Sequence, residues 1–141
     1  MSKNFFCLVI IFMLCALTGC IVGSAATPLQ HAKGDWALSF DETIAANQEM
    51  RDLVGEDPEM EQYMRESMQG LTLTVDTERK VVILTVEGQV DDESEFTVVS
   101  ETPESNKIVL DMNGSHFTLI VKGDRMDWIE NGDTLVFERI K

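Results

Sequence analysis

Hydropathy changes its period three times along this chain. From Phe5 to Leu17 every residue is apolar. Residues 21–33, IVGSAATPLQHAK, carry no period and contain Pro28. Trp36, Leu38 and Phe40 then alternate with smaller or polar residues, which predicts a first strand with one apolar face. Next comes helical spacing. Asp41 is a cap residue with Glu42 in the first turn, and Thr43, Ala46, Met50, Leu53 and Val54 fall on one face before Gly55 ends the helix. Asp57 caps a second helix with Pro58 at its first position. Met60, Tyr63, Met64 and Met68 form its apolar stripe, and Gly70 terminates it.

From Leu71 onward the period is two. Leu71, Leu73 and Val75 alternate with threonines, and Val82, Leu84 and Val86 face one way along a strand that is apolar on both sides. Phe96 and Val98 follow, then Ile108, Leu110 and Met112, then Phe117, Leu119 and Val121. Met126 and Trp128 lie in a short strand, Leu135 and Phe137 in the last. Turn residues separate these segments at Asp76 to Lys80, Asp91-Asp92-Glu93, Thr102 to Asn106, Asn113-Gly114, Gly123-Asp124 and Asn131-Gly132. The two Asn-Gly pairs are strong hairpin signals. The pattern predicts a mainly β chain of eight antiparallel strands, with a helix-turn-helix over 41–69 inserted between strands one and two. One apolar face must be hidden. Either the meander closes into an eight-stranded up-and-down barrel with the helical pair plugging or lidding one end, or a curled open sheet cradles the helices. Eight strands leave a closed barrel room for side chains or one small ligand.

The amino terminus supplies an address. Lys3 precedes the apolar run, and Leu17-Thr18-Gly19-Cys20 follows at its end. This resembles the signal peptide and lipobox of bacterial lipoproteins at all four lipobox positions. The resemblance implies removal of residues 1–19 and lipidation of Cys20, through a diacylglycerol thioether on sulfur and an acyl chain on the new amino group. The competing reading of Phe5–Val22 is an uncleaved span at the short end of what crosses a bilayer; small residues at a cleavage-like site favour processing. Two or three acyl chains hold a protein to a membrane where one holds it marginally. Residues 20–33 then form the lipidated Cys and a tether reaching about 40–45 Å if extended, and 34–141 a single domain. In the sorting rule of enteric bacteria, Asp after the lipidated Cys retains a lipoprotein in the inner membrane. Ile21 therefore points to the outer membrane, facing the periplasm, in a Gram-negative source, and to the outer face of the plasma membrane otherwise.

Charge and cysteine use narrow the functions. The net charge of −14 becomes −15 once Lys3 is removed, because all 25 acidic residues follow Cys20. That balance argues against nucleic acid and against a polybasic grip on lipid head groups. Cys7 and Cys15 leave with the signal and Cys20 carries lipid, so the domain has neither a disulfide, nor a cysteine nucleophile, nor a thiolate metal site.

Gly34-x-Trp36 on the first strand, followed by a β meander and by Arg139 near the end of the last strand, resembles lipocalin-type barrels. There the Trp closes the barrel floor and an Arg from the last strand stacks across it. The helical pair after strand one is similar to the portal of fatty-acid-binding proteins. This chain is shorter than a typical lipocalin, has fewer strands than the fatty-acid-binding barrel and lacks the latter's arginine–tyrosine carboxylate trap.

Candidate chemistry is sparse. His31 lies in the tether and His116 opens a strand, so no second nitrogen ligand supports zinc. A Ser-His-Asp arrangement would need Ser115 or Ser100 beside His116, and neither sits in a nucleophile elbow. The acidic groups Asp91, Asp92, Glu93 and Glu95, and Asp124, Asp127, Glu130 and Asp133, lack EF-hand order and read as charged turns. Met60, Met64 and Met68 recur every four residues. Thioethers in such a row suit Cu(I) or, in the reading preferred here, pack adaptably at a barrel mouth or against an apolar ligand.

The sequence therefore predicts a non-catalytic, lipid-anchored envelope protein, without cofactor or metal, that binds a small apolar or amphipathic molecule, with Trp36, Met60, Met64 and Met68 as candidate ligand-binding residues. The alternative is a structural lipoprotein whose filled core and acidic surface serve contact with another envelope protein. Cavity size separates them, since a carrier needs room on the order of 300 Å³.

Overall fold

A computed structural model of the chain describes residues 25–141. The apolar run, the lipobox and Cys20 lie outside the described residues. Positive φ at Asn113 and Gly114, and again at Asn131 and Gly132, makes both Asn-Gly pairs the tight hairpin turns their sequence predicts. The strands are β1 (Gly34–Leu38), β2 (Leu71–Asp76), β3 (Val81–Val86), β4 (Gln89–Glu95), β5 (Thr97–Thr102), β6 (Lys107–Met112), β7 (Ser115–Lys122), β8 (Arg125–Glu130) and β9 (Asp133–Arg139). They form one antiparallel sheet in the order β4-β3-β2-β1-β9-β8-β7-β6-β5.

The sheet is curled into a half-barrel. β4 and β5 are its two edges, yet only Phe96 separates them in sequence. Neighbouring residues lie 3.8 Å apart along the chain, so the curl must bring the two edges together at that point. Phe96 is buried there, and its N–H donates to Lys80 O at the start of β3. Elsewhere β4 and β5 have no ladder between them. Of the two architectures open to the sequence, the curled sheet is the one observed.

The strand count changes for a definite reason. Asp91-Asp92-Glu93 is not a turn but the middle of β4, and the reversal lies earlier, at Glu87 and Gly88, both at positive φ. An edge strand tolerates charge because one side of it meets water, so β4 lacks the apolar alternation by which the other strands are recognised. A register shift between Leu84 and Thr85 adds a bulge at the same place.

The helical insertion also differs in detail. It holds three helices, α2 (Phe40–Ala46), α3 (Gln48–Glu56) and α4 (Pro58–Met68), preceded in the chain by α1 (Pro28–Ala32). Asp57 caps α4, accepting from Glu59 N–H at 2.9 Å, with Pro58 at the first position. The long first helix is broken at Asn47, which is buried. β1 is shorter than β9, and where it ends α2 takes its place along β9. Thr43 Oγ1 accepts from Val136 N–H at 2.9 Å and Asn47 Oδ1 from Thr134 N–H at 2.9 Å. Asn47 Nδ2 donates to Thr134 O at 2.6 Å. Two side chains at i and i+4 thus supply the hydrogen bonds of a missing strand. α3 and α4 pack on one another and bury none of their residues fully.

α1 belongs to the domain although its sequence reads as tether. Thr27 and Gln30 form a capping box, Pro28 and Ala32 are buried, and the helix packs on β5, β6 and β7. The core comprises Trp36, Val75, Phe96, Ile108, Leu110, Leu119, Val121 and Met126 among others, all drawn from residues 32–137. Residues 25–141 therefore carry a complete core of their own.

Candidate functional site

The two ends of the curl are different. At the floor, Trp36 is fully buried and its indole N–H donates to Ala32 O at 2.9 Å. The Arg139 guanidinium lies over the indole, 4.1 Å from its centre, and donates to Lys33 O at 2.9 Å and His31 O at 2.6 Å. Gly34 sits at φ +129°, and a Cβ there would come within 3.0 Å of Arg139 Nη1. The Gly-x-Trp motif thus has a local reason: glycine leaves the space into which the arginine reaches. Arg139, from the last strand, thus stacks across Trp36, from the first.

At the other end, the mouth, the core stops short of the rim. A cavity of about 430 Å³ lies inside the curl. Its wall is built by inward alternation on several strands: Leu71 and Leu73 from β2, Val82 and Leu84 from β3, Leu135 and Phe137 from β9. Met112, Phe117 and Trp128 complete the apolar surface, with the Phe117 and Trp128 rings 5.2 Å apart and inclined at 51°. Polar groups gather at the rim: Asp92 and Ser94 from edge strand β4, Asn113 and Ser115 from the β6–β7 hairpin, and Glu130. Ser94 Oγ donates to Asp92 Oδ2 at 2.9 Å. A shallower depression beside the β8–β9 hairpin shares Trp128, Glu130 and Leu135 with the cavity and adds Asp133.

Charge is distributed unevenly between these ends. Arg79 and Lys80 occupy the β2–β3 turn, Lys122 and Arg125 flank the β7–β8 turn, Lys107 opens β6, and Lys33, Arg139 and Lys141 surround Trp36. Most of these are at the floor, while Arg79 and Lys80 stand beside edge strand β4, where Lys80 O accepts from Phe96 N–H. Most are paired, as in Arg79–Glu93 at 2.6 Å, Arg125–Asp127 at 2.8 Å and Lys141–Asp124 at 3.5 Å. Lys33 is held above the usual lysine range by its hydrogen bond and charge contact with Glu78. Arg65, on α4, pairs with Asp41 and Glu61 and lies over the Phe40 ring, and Arg51 bonds Gln48 and Ala45 O. None of the described residues lining the cavity is basic.

The four residues singled out from sequence do not assemble into this site. Trp36 lies beneath the cavity at the floor and does not line it. Met60, Met64 and Met68 are half-buried on α4, and none reaches the wall. The insertion is held to the sheet by α2, which is bound to the edge of β9, and no residue of α3 or α4 lines the cavity. Of the rim, Asp92 reads in the sequence as part of a charged turn and Ser94 carries no signal of its own, because β4 lacks apolar alternation. Their joint signal was the period-two placement of Asp92, Ser94 and Phe96 on one side, with Glu93 and Glu95 on the other.

Other candidate groups stay separate. His116 Nε2 contacts Asp111 Oδ2 at 3.2 Å on the outer face, while Ser115 faces the cavity. Adjacent strand residues point to opposite faces, so this serine and histidine do not form a nucleophile–base pair. Among the described residues, no group of three or more His, Cys, Asp or Glu side chains is placed to hold a metal ion. No helix among them is long and apolar enough to cross a membrane.

No protein-family model, curated protein or solved structure matches this chain.

Proposed function

We propose that this protein is a non-catalytic lipoprotein of the cell envelope, anchored through Cys20, that binds a small apolar or amphipathic molecule in the cavity of its curled sheet. The observation that carries the reading is the cavity itself. A volume of about 430 Å³ lies within the range of small-molecule sites, which are mostly apolar with a few polar groups at defined places. A structural lipoprotein would gain stability by filling that space. The wall is made of aromatic and branched side chains, and the polar atoms are confined to the rim, as an amphipathic occupant requires.

Absence of cysteine from the domain, an exposed His116 and the separation of Ser115 from it support a binding rather than a catalytic role. Two acyl chains on Cys20 and a short tether would hold the cavity within tens of ångströms of the bilayer. A hydrophobic ligand could then pass between membrane and protein over a short path.

Native mass spectrometry on residues 25–141, secreted to the periplasm and then incubated with an envelope lipid extract, tests the reading. An added mass that disappears on denaturation and is lost in Leu84→Trp, which fills the cavity, is the expected result. A clean apo mass after incubation would overturn it and direct attention to crosslinking for a protein partner.

A further inference from the structure

We infer that the cavity selects amphiphiles with a cationic, amine-type head over those with a carboxylate; the inference rests on the carrier reading above. The site is the apolar cavity, and three features of its surroundings decide which end of a ligand can stand at the mouth. First, the rim presents Asp92 and Glu130, with Asp133 in the adjoining depression. No described lining residue offers a positive charge to a carboxylate, and a like charge brought to a partly desolvated rim is repelled.

Second, most of the described bases are paired with acids of their own. Lys33 pairs with Glu78, Arg79 with Glu93, Arg125 with Glu42 and Asp127, and Arg139 and Lys141 with Asp124, and those of the helices are engaged with their own carboxylates and carbonyls. His116 stands on the outer face of the β6–β7 hairpin, already against Asp111. A carboxylate head would meet no basic group among the lining residues, whereas an ammonium would meet Asp92 or Glu130. Third, the wall below the rim is aromatic. Phe117 and Trp128 line it with their rings 5.2 Å apart, and a cation over the face of either ring is attracted by its quadrupole. The three features lie on different elements, and they agree in sign.

Size sets the tail. At about 30 Å³ per heavy atom, the share of a water molecule in the liquid, the cavity accommodates on the order of fourteen atoms. A ten-carbon chain with a one-atom head fits that room.

The test is a matched set of ten-carbon ligands, decylammonium, decanol and decanoate, each below its micelle concentration, titrated calorimetrically into residues 25–141 at low and physiological salt. Decylammonium is expected to bind about tenfold tighter than decanoate, with decanol between, the gap narrowing as salt rises. In Asp92→Asn/Glu130→Gln the ratio of ammonium to carboxylate affinity should fall to near one. In Leu84→Trp binding of all three should be lost. Equal or tighter binding of decanoate, or a preference unchanged in the double variant, would overturn the inference while leaving the carrier reading intact. Decylammonium binding that survives Leu84→Trp would mark adhesion to the acidic surface and overturn it too. Failure of decanol to bind the unaltered protein would overturn the carrier reading, and the inference with it.

Discussion

The floor and the mouth are ends of the same strands, yet they dispose of their polar and apolar groups in opposite ways. At the floor, apolar groups are buried and most charges are paired: Trp36 is fully buried between α1 and Arg139, and most of the bases there meet acids. At the mouth, apolar wall stands without a counterpart and acids stand without bases. The difference teaches where this small domain finds its stability. A chain of this size has little free energy to spare, and a cavity forgoes dispersion contacts that a filled core would make. A closed, cross-linked floor allows the other end to stay open.

The largest expected effect comes from breaking the floor. Trp36→Ala removes the biggest fully buried side chain, its hydrogen bond to Ala32 O and the platform under Arg139. A cost of about 3–5 kcal/mol is expected, a large fraction of the total for a domain of this size, measured by denaturant unfolding. A loss below about 1 kcal/mol would mean that α1 and Arg139 hold the floor without it.

Arg139→Leu sharpens the same end. It keeps much of the apolar volume but loses two charge-assisted bonds to the carbonyls of His31 and Lys33 and the contact with the indole. The expected cost is about 1–3 kcal/mol. Amide exchange should rise first in α1, whose last turn those bonds pin to β9. In a cycle with Trp36→Phe, the two substitutions should be non-additive, because the residues touch.

At the mouth the same kind of truncation should cost less. Leu84 and Leu119 are both leucines on inward strand positions, but Leu119 is fully buried and Leu84 borders the cavity. Leu119→Ala should cost about 2–5 kcal/mol and Leu84→Ala about 1 kcal/mol, since part of the neighbourhood of Leu84 is already empty. Equal costs in thermal unfolding would show that the mouth is packed as tightly as the floor and would remove the contrast.

How far the sequence carries this picture depends on which physical signal each part leaves. The hairpins of β6 to β9 are plain in it, because Asn-Gly turns need two residues at positive φ and the strands between them have one wet and one dry face. The Gly34–Trp36–Arg139 set is plain as well, since glycine, tryptophan and arginine at those places have few other uses. β4 is hidden because an edge strand facing water need not alternate. The role of Thr43 and Asn47 is hidden for a related reason: periodicity ranks positions by apolarity, and here two polar side chains are buried because they complete the edge of β9. Met60, Met64 and Met68 mislead in the opposite direction. A regular stripe at helical spacing predicts an apolar face, but it does not say what that face covers, and the site's rim came from segments that carry no apolar signal at all.

The smallest effect concerns a carboxylate of the floor that is held by backbone N–H groups. Asp76 Oδ1 accepts from Arg79 N–H at 2.9 Å and Glu78 N–H at 3.0 Å in the β2–β3 turn. The Arg79 bond foremost, with the Glu78 bond and the nearby charges of Arg79 and Lys33, holds its carboxyl below the ordinary value of 3.8. A carboxyl depressed in the folded state binds its proton more readily when unfolded. Its contribution to stability is therefore present above pH 3.8 and is lost as pH falls below that value toward the folded-state pKa. Asp76→Asn retains an acceptor for the turn but cannot titrate. Stability near neutral pH should change little for an exposed turn residue of this kind, while the fall in stability on acidification should be shallower than in the unaltered protein. Superimposable acid profiles for Asp76→Asn and the unaltered protein would remove Asp76 from the groups that stabilise the floor.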